Sequence, residues 1–250
     1  NGWFAGAQLA YTERGPNESE LFAFGPHLAT EQFEVGDATL SKEKGLNLEG
    51  TLRWRGEKAS FGANIFHTSF TDFIYLAPSA IEEDGELVTE EDGLPVFAFV
   101  QDDATLYGGE IYGEYYIDQG PLGADWKLRS GVDYVRGELD DGGNLPFIPP
   151  LRVTAGADAD WQRVMVGASV EWADNQRRVG EGQLGTGNYT LINLKTALKL
   201  SEYGFGREGT QLFVEVRNIA DEEARLATSV LRDTVPLPGR NVRAGLRYTF

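Results

Sequence analysis

The sequence predicts an all-β chain: ten strands of an antiparallel transmembrane β-barrel. Three observations carry this. The closing stretch, 239–250, places Val242, Ala244, Leu246, Tyr248 and Phe250 on one side and Asn241, Arg243, Gly245, Arg247 and Thr249 on the other. That period of two marks a strand, with one face suited to hydrocarbon and the other to water, ending on an aromatic residue. The connections between strand candidates then alternate in length. They are long at 12–44, 78–94, 140–150, 174–187 and 220–238, and short at 56–58, 118–125, 162–163 and 201–209. Membrane barrels have long loops on the outer side and short turns on the periplasmic side, whereas a soluble sandwich has no reason for such parity. Finally, Trp3, Trp54, Trp126 and Trp161 all fall beside short-turn ends, and only Trp172 lies near a long one. Tryptophan gathers at the membrane–water boundary.

In order, the first strand covers about 2–11. The segment that follows is rich in turn residues, with Gly15-Pro16 and Gly25-Pro26, and 18–23 is read as one short helical turn. The second strand, 45–55, sets Leu46, Leu48, Leu52 and Trp54 against Asn47, Glu49, Thr51 and Arg53. The third, 59–76, is aromatic-rich. The fourth, 95–117, alternates best in its later half, with Tyr107, Ile111 and Tyr115 against Glu110, Tyr112 and Glu114. The strands at 126–139, 151–161, 164–173, 188–200 and 210–219 follow the same rule, for instance Val164, Val166, Ala168, Val170 and Trp172 on one face. The last strand is the closing stretch itself.

Composition limits function. The net charge of −17 argues against nucleic acid as a partner. No run of apolar residues is long enough for a membrane-spanning helix, which leaves a barrel open because its strands carry only a weak alternating signal. Cysteine is absent, so there is neither a disulfide frame nor thiol chemistry. Asn1-Gly2-Trp3 has none of the features of a secretion signal.

Most motifs reduce to turns. Gly204-Phe-Gly-Arg-Glu-Gly209 has dinucleotide-loop spacing, but a strand follows it instead of a helix, so it reads as a glycine turn. Asn17-Glu-Ser19 and Asn188-Tyr-Thr190 mark exposed loop, and Asp84-Gly85-Glu86 lacks the ligand spacing of a calcium loop. No catalytic triad stands out and no cofactor is expected. Glu82, Glu83, Asp84, Glu86, Glu90, Glu91 and Asp92 crowd one loop, which is either a solvated loop or a vestibule that draws cations. His67 lies inside a strand and is read as structural. His27 sits in the long first loop with Glu31 and Glu34 nearby. It is read either as an exposed, unliganded histidine or as a ligand for a borderline metal.

The order of features resembles a known family. Tyr11-Thr-Glu-Arg-Gly-Pro, Glu20-Leu-Phe-Ala, Gly25-Pro-His, Glu34-Val-Gly-Asp and Leu40-Ser-Lys-Glu-Lys are similar to the carboxyl half of TonB-dependent outer-membrane receptors. So are Asp72-Phe-Ile-Tyr, Gly108-Gly-Glu, Val216-Arg-Asn-Ile-Ala-Asp and the closing Pro238-Gly-Arg-Asn-Val-Arg. The Gly-Pro-His segment with Glu34 to Asp37 looks most like the branch containing zinc-uptake receptors. The resemblance implies a barrel of about twenty-two strands around an amino-terminal plug. Residues 1–250 would supply its carboxyl-terminal part, about ten strands, with the plug outside this sequence. It also implies import of a scarce ligand such as a metal or metal chelate across the bacterial outer membrane, with no chemistry done on it. The expected partners are the TonB complex, through the amino-terminal part, the remaining strands and plug, membrane lipid and the small ligand. Candidate ligand-binding residues are His27, Glu31, Glu34, Tyr75, Glu82, Asp84 and Glu86, with His27 the candidate metal ligand. The rival expectation is a complete ten-stranded ring acting as a hydrolase or a passive pore, which would require 2–11 to pair with 239–250.

Overall fold

The computed structural model describes residues 2–83 and 85–250. In chain order it contains β1 (Gly2–Arg14), α1 (Glu18–Phe22), β2 (Phe24–His27), β3 (Gln32–Val35), β4 (Glu43–Arg55), β5 (Ala59–Pro78), β6 (Ile81–Glu83), β7 (Glu86–Val88), β8 (Glu90–Glu91), β9 (Leu94–Ile117), β10 (Asp125–Leu139), β11 (Arg152–Asp160), β12 (Val164–Ala173), β13 (Tyr189–Lys199), β14 (Gln211–Arg217) and β15 (Asn241–Arg247). Ten of them form one antiparallel path, β1-β4-β5-β9-β10-β11-β12-β13-β14-β15. These are the ten strands that alternation predicts. The path does not close. Among the described residues no ladder joins β1 to β15, so the expectation of a complete ten-stranded ring fails.

Cross-strand partners share a face, so the register shows which residues lie together. One continuous row runs Leu52, Ala63, Ile111, Val132, Val153 and Trp172 across six strands. A neighbouring row on the opposite face runs Asn64, Glu110, Asp133 and Arg152. The first face is mostly apolar, yet no layer covers it: Leu9 is 69% exposed, Ile65 67% and Leu246 59%. In water such a wall would forfeit ~1.5–3 kcal/mol for each large aliphatic side chain left uncovered. A bilayer supplies the missing cover, and the polar face then lines the inside of the barrel. Among the described residues no helix is long and apolar enough to cross a membrane.

Edges differ from the sequence reading in several places. The last strand stops at Arg247, not at Phe250, because its partner β14 begins at Gln211, which pairs with Arg247. Beyond that point Thr249 turns to the 200–210 connection, where its N–H donates to Thr210 Oγ1 and its carbonyl accepts from the Arg207 N–H. The long first loop is not irregular either. Besides α1 it holds the β2–β3 hairpin, and β3 pairs in parallel with β9.

Candidate functional site

The inner face opens at the long-loop rim, where β5 and β9 run far past their neighbours β4 and β10. A bulge between Phe70 and Phe73 marks where this extension begins. Asp72 takes φ +58° there, a left-handed conformation that Asp tolerates better than most residues. Its N–H donates to Asp103 Oδ1 at 3.0 Å, and its carbonyl accepts from Gln101 Nε2 at 2.9 Å. The same Gln101 amide exchanges two hydrogen bonds with the backbone of Ser41, which fixes the end of the first loop to the extension.

The rest of that loop is held just as firmly. Asn17 and Glu20 form a reciprocal capping box on α1. Arg14 bridges Glu20 at 2.8 Å and Glu43 at 3.0 Å, and Glu43 also accepts from the Ile74 N–H. Gly36 passes so close to α1 that a Cβ there would lie 2.5 Å from the Phe22 nitrogen. Phe33, Ile74, Val96 and Phe97 are buried where β9 runs between β3 and β5. Two other long connections are tied to their neighbours. Gly182 packs against Pro78 and Phe97. Arg232, only 2% exposed, donates to the Ala227 carbonyl and stacks over Phe147, tying 218–240 to 140–151. The result is a vestibule with walls set by side-chain anchors.

The candidate residues occupy separate parts of it. His27 ends β2, half exposed, with Nδ1 2.7 Å from Thr30 Oγ1 and 3.7 Å from Glu34 Oε1. Glu31 sits exposed at the hairpin turn with φ +55°. The hairpin therefore brings His27 and Glu34 together. Tyr75 belongs to another neighbourhood: it stacks on Phe73 and packs on the cluster of Ala104, Leu139 and Leu145. Glu82 pairs with Leu87, whereas Glu86 pairs with Glu83, so the two candidate carboxylates take opposite faces of the β6–β7 hairpin. Asp84 lies outside the described residues. Among the described residues no group of three or more His, Asp or Glu side chains is placed to hold a metal ion.

Sequence reasoning did not foresee the ion-pair lattice on the inner face. Asp158, 8% exposed, receives Arg129 at 2.8 Å and Lys195 at 3.0 Å. Arg152 meets Asp133 at 2.6 Å, and Glu215 meets Arg243 at 2.7 Å. Arg129, Asn193, Lys195, Glu215 and Arg217 line a cavity of about 510 Å³ open to the lumen. The signal was the polar half of each alternating strand; the pairing partners only the register supplies.

A model of the family described as TonB dependent receptor-like, beta-barrel matches residues 2–219. The chain belongs to that family. Among solved structures, this TonB-dependent receptor barrel is similar to the copper transporter OprC, with 22% identity over 99% of the chain and a TM-score of 0.76. It is also similar to the FrpB iron transporter from Neisseria meningitidis (F3-3 variant), at 14% identity over 99% of the chain and TM-score 0.66. The siderophore receptor PirA from Acinetobacter baumannii matches at 16% identity over 99% of the chain and TM-score 0.65. At these identities the likeness is one of fold. The chain spans 37%, 37% and 39% of those three proteins.

Proposed function

We propose that residues 1–250 form the carboxyl-terminal part of the barrel of an outer-membrane receptor that imports a metal or a metal chelate, with energy delivered through TonB. The observation that carries this reading is the open ten-strand path with an apolar outer wall and a charged inner wall. Its two free edges each require a further strand, because an unpaired backbone group in hydrocarbon costs several kcal/mol. The missing strands and the plug would complete the barrel. Ligand would enter between the long connections, which the structure ties into a vestibule, and leave past a displaced plug. No chemistry on the ligand is required of any residue. Family membership supports transport over hydrolysis, and the similar folds of copper, iron and siderophore transporters support a metal or chelate as cargo.

A zinc cargo is the narrower reading, and it rests on His27 and Glu34. A histidine and a carboxylate on one hairpin face could share a zinc ion, with further ligands supplied by the plug. The deciding experiment uses cells that make the full-length protein, starved in turn of zinc, copper and ferric chelates. One of these should accumulate, and accumulation should stop when TonB is deleted. Equal accumulation without TonB would point to a passive pore and overturn the proposal.

A further inference from the structure

A polar cluster lies on the apolar wall of the sheet. Arg136 pairs with Tyr107, Tyr134 with Gly109 and Glu138 with Thr105. These positions share the face of Leu128, Val132, Ile111 and Tyr115, which is the outer one, at the end of β9 and β10 away from the short turns. A second arginine joins them from the 174–188 connection, where Arg178 Nη1 donates to the Tyr134 hydroxyl at 3.1 Å.

This placement is built by a buried amide. Gln176 is 7% exposed. Its Oε1 accepts from the Arg178 N–H at 3.0 Å, and its Nε2 donates to the Ile148 carbonyl at 2.8 Å. One side chain thus joins two connections and presents Arg178 on the outer wall. Tyr134, Arg136, Ile148, Pro150, Asn175 and Arg178 line a small crevice there, about 70 Å³. Asp174 lines it as well, but its carboxylate is engaged by the Asn175 N–H.

Of the two guanidiniums only Arg136 is held in an ion pair. Glu138 accepts from Arg136 Nε and Nη2 and from the Tyr107 hydroxyl. Among the described residues Arg178 forms no ion pair, and its side chain donates only to Tyr134. A guanidinium on a lipid-facing wall is costly in hydrocarbon but stable at headgroup depth, where tyrosines also gather. Phosphate is the anion of that layer, and its oxygens suit the fixed fork of an arginine.

We propose that Arg136 and Arg178 form a site on the outer wall for the phosphate of a lipid headgroup. Tyr134 orients Arg178, Glu138 competes with the phosphate for Arg136, and the crevice takes the first part of the acyl or glycerol moiety. The inference rests on the membrane-barrel fold and is independent of the transported ligand.

The test uses the full-length protein in non-ionic detergent and native mass spectrometry. The probes are dilauroyl phosphatidate, dilauroylglycerol (the same chains without the phosphate) and inorganic phosphate. Phosphatidate should be retained, and the double variant R136Q/R178Q should lower its retention about tenfold or more, the scale of two charge-assisted contacts. Dilauroylglycerol should be retained no better than phosphatidate is by the double variant. Millimolar inorganic phosphate should not displace the lipid; if it does, the site reads phosphate alone and the lipid proposal fails. Glu138→Gln releases Arg136 and should raise phosphatidate retention, which a purely structural role for these residues would not produce. Retention unchanged in both variants overturns the proposal, and Glu138→Gln alone decides should the double variant misassemble. No transported ligand enters the measurement, so a failed uptake experiment leaves its result standing.

Discussion

Trp161 donates its indole N–H to the carbonyl of Leu122, one residue past the Pro121 carbonyl that accepts from Trp126. A tryptophan on β10 and one just past the end of β11 thus cap consecutive groups of one short turn. At the same end of the sheet Trp3 and Trp54 pack with ring centroids 6.2 Å apart. An indole has an apolar body and one donor, and it sits best where hydrocarbon gives way to water. The four rings therefore mark one boundary of the wall, and the long connections lie at the opposite end of the strands.

Sidedness follows directly. Single cysteines at Glu86 and Glu223, in long connections, should react with a membrane-impermeant thiol reagent on intact cells making the full-length protein. Cysteines at Glu57 and Glu208 should react only after the outer membrane is opened. Labelling of the second pair on intact cells would reverse the orientation.

The two faces should respond differently to charge. Val166 and Val214 are outer-face residues, 43% and 39% exposed. Arginine at either should destabilise the folded barrel by about 2–4 kcal/mol where the site lies near the bilayer midplane. Arginine at Ser169, on the inner face beside Asn193, should cost far less. Equal penalties, measured by reversible unfolding in lipid vesicles, would remove the assignment of faces.

The inner lattice should show coupling. Arg129 and Lys195 both reach the nearly buried Asp158. A double-mutant cycle of Arg129→Ala and Lys195→Ala should deviate from additivity by about 0.5 kcal/mol or more, at the low end of the usual range because both cations are more than a third exposed. Strict additivity would show that the two cations act independently.

Gly36→Val should detach the first loop without unfolding the barrel, since the added side chain meets the backbone of α1. Limited proteolysis should then cut between Arg14 and Lys42 faster than in the parent protein, while resistance to heat-induced unfolding in detergent stays close to the parent's.

His27→Ala and Glu34→Ala address the metal. If the two share an ion, each should weaken metal-dependent uptake by about 10–100-fold, the scale of disturbing a metal site, and the double variant should lose little more. Unchanged uptake in both would leave His27 an exposed histidine held by Thr30.

The ten strands were legible because alternation and loop parity are repeated along the whole chain, so each local reading checks the others. The contents of the long connections were not. Gly25-Pro26 is a turn signal taken by itself, yet it lies in a strand because β3 finds a partner in β9, a fact of tertiary pairing. Gln101 looks like one more polar residue in a strand; only the register shift at Phe70 and Phe73 lets its amide reach Ser41 and Asp72. The meeting of His27 with Glu34 was hinted at by proximity in sequence. The divergence of Glu82 from Glu86 was hidden, because a hairpin's register decides which side each carboxylate takes.

The ladder joins an even number of strands, and this has an architectural consequence. Gly2 pairs with Arg55 beside one short turn, and Arg247 pairs with Gln211 beside another, so both ends of the path emerge at the same rim. A sheet of this kind is composed of hairpins, each of which returns the chain to the side from which it departed. Hairpins can be gained, lost or exchanged in evolution without inverting anything upstream or downstream, whereas a single added strand would turn every later loop to the wrong compartment. The unit of variation in such a wall is therefore the pair, and the long connection at its apex can change length and content while its two feet stay where they are.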